Sequence, residues 1–189
     1  MAEHVGSRAP YLLASAVLLV LASATLASPP DQWTWQNPLP QGNDLEAVWG
    51  RAPDDVYAIG SQATLLHWDG AAWTVTSRPT SMPVRDMWGL DDGTLYACGW
   101  YGAVLRFDGN DSTEIPFPPG ASLRAIIAFS PTEVFVAETF PGRRIWRYDG
   151  AVWTEIGTAP DGIHDLGGSA PDDLWVTGFE GMLSHWDGT

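Results

Sequence analysis

The stretch Leu66-His67-Trp68-Asp69-Gly70-Ala71-Ala72-Trp73, "LHWDGAAW", returns three times in altered form. The copies are "LRFDGNDS" over 105–112, "WRYDGAVW" over 146–153 and "SHWDGT" over 184–189. Each carries a basic residue, an aromatic, Asp and Gly in that order. Asp-Gly between two apolar runs is a hairpin signal. Gly accepts a positive φ, and the Asp side chain bonds the backbone of its own turn.

Working outward, the same order of segments surrounds every copy. Trp49-Gly50, Trp88-Gly89, Ile127-Ala128 and Gly167-Gly168 follow one another at spacings of 39, 39 and 40 residues. An apolar start leads into an acidic turn such as Pro53-Asp54-Asp55 or Pro171-Asp172-Asp173. Then come a branched and aromatic run ("VYAIG", "LYACG", "VFVAE", "LWVTG"), a turn, the run before Asp-Gly, and a fourth run such as "WTVTS" or "WTEIG". Runs of about five such residues punctuated by Gly, Pro and Asp are strands. A four-stranded unit repeated near every 40 residues is a propeller blade, which buries its apolar face only against a neighbour. The expected fold is all-β: a β-propeller of four-stranded antiparallel blades, over 44–83, 84–122, 123–162 and 163–189.

The fourth unit has three strands, and the segment 31–43, "DQWTWQNPLPQGN", aligns with a fourth strand, Trp33-Thr34 over Trp73-Thr74. Pairing the two ends would close a four-bladed ring and leave no sheet edge open. The alternatives are a fragment of a larger propeller, and two half-rings pairing as a homodimer.

The repeat, from "WTWQNPLPQGNDLEAVWG" through "DVYAIG" and "LLHWDGAAWT", resembles secreted bacterial propeller-repeat proteins related to Asp-box, kelch-like and photosystem II assembly-factor-like propellers. It departs from the Asp-box pattern, since Asp is followed directly by Gly and Trp73 lies four residues beyond Asp69. The resemblance implies a propeller fold and is unspecific for function.

Arg8 precedes the apolar run "YLLASAVLLVL" and the small-residue pattern Ala22-Ser23-Ala24, which reads as a signal peptide over 1–24, or to 28. The run is shorter than the roughly 20 residues of a membrane-spanning helix. Secreted, periplasmic or cell-surface placement follows, with no stable membrane span after processing. The chain has 23 acidic residues against 9 basic ones, net −14, which disfavours nucleic acid as a partner. Every basic residue is Arg, so lysine-dependent chemistry is excluded. Cys98 is alone and reads as a small buried side chain.

The basic positions His67, Arg106, Arg147 and His185 read as a solvated strand face, and the aromatics after them as packing. First strands line a propeller axis, so the candidate ligand-binding residues are Glu46, Arg85, Asp86, Arg124, His164 and Asp165. Strand alternation alone leaves open which of them face the channel. The acidic turns (Asp54, Asp55, Asp91, Asp92, Glu133, Asp172, Asp173) cap and solubilise; weak calcium is the most they suggest by way of a cofactor. No metal motif, nucleophile elbow or phosphate loop is present, and no catalytic residue is assigned. A sialidase-like glycoside hydrolase would need an arginine triad and a tyrosine nucleophile, but only Arg85 and Arg124 sit at plausible inner positions and no first-strand Tyr appears. The expected function is a non-catalytic module binding protein or glycan, or a surface scaffold; the hydrolase and a structural fragment of a larger protein are the alternatives.

Overall fold

A computed structural model describes residues 42–77, 82–109 and 111–189. The expected signal peptide and residues 31–41 of the expected closing strand lie outside them.

Four antiparallel sheets follow one another along the chain, each with its strands in sequence order. The first holds β1 (Leu45–Ala52), β2 (Asp55–Gly60), β3 (Leu65–Trp68) and β4 (Trp73–Ser77). The second holds β5 (Val84–Gly89), β6 (Thr94–Gly99), β7 (Val104–Asp108) and β8 (Asp111–Glu114). The third holds β9 (Ser122–Ser130), β10 (Glu133–Phe140), β11 (Arg144–Tyr148) and β12 (Trp153–Thr158). Among the described residues the fourth holds three: β13 (Ile163–Ala170), β14 (Asp173–Gly178) and β15 (Leu183–Trp186). These are the blades of a β-propeller. The first strands are the inner ones, β1 packing on β5, β5 on β9 and β9 on β13.

The core lies between the sheets. Ile59 and Leu65 of blade 1 meet Val84, Met87 and Leu95 of blade 2. Cys98 and Val104 of blade 2 meet Leu123, Ile126 and Val136 of blade 3. Phe135 and Ala137 of blade 3 meet Ile163, Leu166 and Leu174 of blade 4. Each fully buried aliphatic side chain here contributes about 1.5–3 kcal/mol by leaving water. Cys98 is fully buried, as its place in the repeat suggests, and burial pushes its thiol well up.

The Asp-Gly copies at 69, 108 and 149 are hairpin turns built as their chemistry requires. Asp69 Oδ1 accepts from the N–H groups of Ala71 and Ala72 at 2.9 and 2.8 Å, and Asp149 Oδ1 does the same for Ala151 and Val152 at 2.9 Å each. The glycine after each Asp has positive φ, 89° at Gly70 and 94° at Gly150. These backbone bonds hold both turn carboxyls below their ordinary range.

The inner strands carry an irregularity that simple alternation does not foresee. Val84 pairs with Gly99 but Asp86 with Cys98, leaving Arg85 as an extra residue. Glu46, Arg124 and His164 are extra in the same way, between Leu45 and Ala47, Leu123 and Ala125, and Ile163 and Asp165. A bulge re-aims the side chains around it. It lets Val84 and Met87, three apart, both pack against blade 1, as Leu123 and Ile126 both pack against blade 2.

Candidate functional site

The end of the blades at which the inner strands begin, the upper end, gathers the candidate residues. Four of the six, Glu46, Arg85, Arg124 and His164, are the bulge residues of successive inner strands. The remaining two, Asp86 and Asp165, immediately follow the bulges in blades 2 and 4.

Arg85 lays its guanidinium over the Trp100 ring, 3.9 Å from the centroid. Its pKa is lowered, first by burial and then by the neighbouring charge of Arg124, with the Glu46 carboxylate acting the other way. Arg124 Nε donates to the carbonyl of His164 at 3.3 Å, tying blade 3 to blade 4. The His164 ring stands edge-on to Phe179 at 4.2 Å.

Asp86 does a different job. Its Oδ1 accepts from Met87 N–H and its Oδ2 from Ile126 N–H of the next blade, both at 2.8 Å. Burial nevertheless pushes its carboxyl up; the two backbone donors oppose that, and the charge of Asp165 adds to it. Asp86 is therefore a clamp between blades that also borders the arginines. Asp165 accepts from Leu166 N–H at 2.9 Å, as Asp86 does from Met87.

Aromatics that sequence reading left aside complete this end. Trp100, Tyr101, Phe140 and Phe179 all lie in or beside the turns between second and third strands, and all are exposed. The turn geometry presents them: Trp100 N–H donates to Pro83 O at 3.1 Å and Phe179 N–H to Gly162 O at 3.0 Å, pinning each turn beside the start of its inner strand. Tyr101 holds φ at 60°, a left-handed conformation uncommon outside Gly, Asn and Asp. The missed signal is compositional, since "GWYG" and "GFEG" put aromatics where blade 1 has Ser61-Gln62. In blade 3 the buried Glu138 supports the corresponding turn, accepting from Gly142 N–H, from Arg144 Nε and Nη2 and from Trp146 Nε1 at 2.8–3.0 Å. Burial raises its carboxyl, but these donors prevail and its pKa is lowered.

The repeated basic position is partly solvent-exposed, as expected of a solvated face, and in three of the four blades it is ion-paired to the second strand as well. His67 pairs with Asp55, Arg147 with Glu133 and His185 with Asp173, each joining a third strand to the first residue of the second. Three of the seven acidic turn residues, Asp55, Glu133 and Asp173, are thereby engaged within the blades. Also at that end, Trp49, Trp88 and Phe129 line a groove of about 600 Å³ shared by blades 1 to 3, where Arg51 donates to Asp91 O at 2.9 Å. Among the described residues no helix is long and apolar enough to cross a membrane.

The upper end of this β-propeller thus carries an arginine stacked on an exposed aromatic, beside further exposed aromatics on turns. No protein-family model matches the chain. Over 71 residues it is 34% identical to the immune protein Tsi7 of Pseudomonas aeruginosa, a match covering 38% of this chain and 23% of that protein. In structure it is similar to YCF48 bound to D1 peptide, with TM-score 0.62 and 19% identity over 76% of this chain and 50% of that one. It is similar also to the computationally designed Ika4 protein, with TM-score 0.64 and 12% identity over 82% of this chain and 99% of that one. The chain thus spans about a quarter of the length of its curated relative and half that of the YCF48 chain.

Proposed function

We propose that the chain is an exported, non-catalytic binding domain whose upper face takes an acidic, extended segment of a partner protein. The observation that carries this reading is the Arg85 guanidinium held 3.9 Å over the exposed Trp100 ring, with Arg124 adjacent. Stacking fixes the arginine and leaves its N–H edge for a carboxylate, while Tyr101, Phe140 and Phe179 offer apolar area around it. Trp, Tyr and Arg are the residue types that dominate binding energy at protein interfaces. The solved YCF48 neighbour holds a peptide, and the curated relative is an immune protein. Export rests on the signal-peptide pattern of residues 1–24.

The test is selection of a displayed random-peptide library on the immobilised chain, counter-selected on Arg85→Ala. Enrichment of acidic sequences that fail to bind Arg85→Ala supports the reading, and enrichment indifferent to that change overturns it. A glycan ligand is the second reading, favoured by Trp49, Trp88 and Phe129 lining the lower groove, since sugar faces stack on aromatic rings. Glycan-array binding lost in Trp49→Ala would support it over the peptide.

A further inference from the structure

The three joints inside the chain define what a blade presents to each neighbour, and the end blades present both halves of that joint unused. At the face turned to the preceding blade, Met87, Ile126 and Leu166 are buried; their equivalent in blade 1, Val48, is 70% exposed. Val84, Leu123 and Ile163 are likewise buried, whereas Leu45 is exposed. At the face turned to the following blade, Leu65, Val104 and Ile145 are buried, whereas their blade 4 equivalent Leu183 is 63% exposed. Tyr96 and Phe135 are buried there, whereas Trp175 is exposed. Among the described residues β13 and β1 share no joint like the other three.

The polar elements repeat as well. Asp86 spends Oδ1 on Met87 N–H and Oδ2 on Ile126 N–H across the joint. Asp165 spends Oδ1 on Leu166 N–H in the same way, and no donor reaches its second oxygen among the described residues. Val48, opposite Ala58, holds in β1 the register that Ile126, opposite Val136, holds in β9. The row of bulge residues ends in His164 on blade 4 and begins with Glu46 on blade 1, a complementary pair if the two meet.

We infer that the Asp165 face of blade 4 receives the Val48 face of blade 1 of a second copy, so that two copies close one ring through two equivalent joints. Apolar contact of Leu183 and Trp175 with Val48 and Leu45 supplies the burial, and Asp165 to Val48 N–H supplies the clamp. The occupant is a second copy because blade 1 carries the matching half, position for position. A two-fold arrangement satisfies both open faces of both chains at once.

Light scattering after size exclusion on the full chain tests this. The wild type is expected at twice the monomer mass, and both Leu183→Asp and Val48→Asp at the monomer mass with the wild-type circular dichroism spectrum. An equimolar mixture of the two variants should recover dimer, since each mixed pair retains one intact joint. A monomeric wild type overturns the inference. So does a dimer that survives Val48→Asp while Leu183→Asp abolishes it, which would pair blade 4 with blade 4. If both variants lose their spectrum, Leu183→Ser and Val48→Ser with the same mixing step take their place. Peptide binding at the upper face is read separately, so either result stands without the other.

Discussion

His67 and Asp55 share a hydrogen bond of 2.8 Å between Nε2 and Oδ1, while the imidazole stacks on Tyr57 with centroids 4.3 Å apart. The arrangement recurs at His185, Asp173 and Trp175, with 2.7 Å for the bond and 4.2 Å for the stack. In blade 3, Arg147 Nε donates to Glu133 at 2.8 Å. The basic residue of the repeat thus clasps the third strand to the head of the second. Blade 2 has Thr94 where the others have an acid, and Arg106 Nε is buried with no partner among the described residues. Thr94 itself is buried, but the Arg106 side chain it would face is partly exposed, so Thr94→Glu should stabilise the protein by about 0.5–1 kcal/mol, with the gain shrinking in 1 M salt. Urea unfolding at low and high salt checks this, and a loss of stability contradicts it.

The same clasp makes stability fall in acid. Burial raises the Asp55 carboxyl, but the His67 hydrogen bond and the Arg51 charge outweigh it, so the folded pKa lies below the ordinary value. A depressed carboxylate contributes stability above its unfolded pKa, about 3.9, and loses it as pH falls through the folded value. Asp55→Asn should lower stability at pH 7 and flatten the loss below about pH 4. Urea midpoints measured from pH 7 to pH 2 decide it; profiles that stay parallel would count against the clasp.

Glu138 carries the heaviest single cost of removal. It is fully buried with four donors upon it, and Glu138→Ala strands the Trp146 Nε1–H, the Gly142 N–H and both Arg144 donors, Nε and Nη2. Breaking a buried pair costs about 3–5 kcal/mol; because Arg144 is partly exposed, about 3 kcal/mol is expected. Equilibrium unfolding gives the number, and a change under about 1 kcal/mol would contradict the role given to Glu138.

Gly150 tests the hairpin reading. Its φ of 94° is costly for any residue with a Cβ, and that atom would lie 2.9 Å from Thr132 Cγ2. Gly150→Ala should cost about 1–2 kcal/mol. Thermal unfolding reads the effect, and an unchanged midpoint would mean the turn relaxes without penalty.

Much of the fold was legible because the repeat is written in turn chemistry: Asp-Gly at 69, 108 and 149 marks hairpins that local backbone preference alone dictates. The candidate site was legible only in part. Arg85 and Arg124 could be placed on inner strands, but a bulge leaves no mark in a period-two pattern, so their direction could not be read. The ion pairs of His67 and His185 span strands through register, which composition does not carry. Trp100 and Phe179 were passed over in the sequence; the fold set them beside Arg85 and His164.

The most direct measurement is a calorimetric titration of an acidic peptide selected on the wild type into the wild type, Arg85→Ala and Trp100→Ala. If the stacked pair is the heart of a binding face, each variant should bind at least about 30-fold more weakly, the 2 kcal/mol of an interface hot spot. Equal affinity for all three would place binding elsewhere and contradict a peptide-binding upper face.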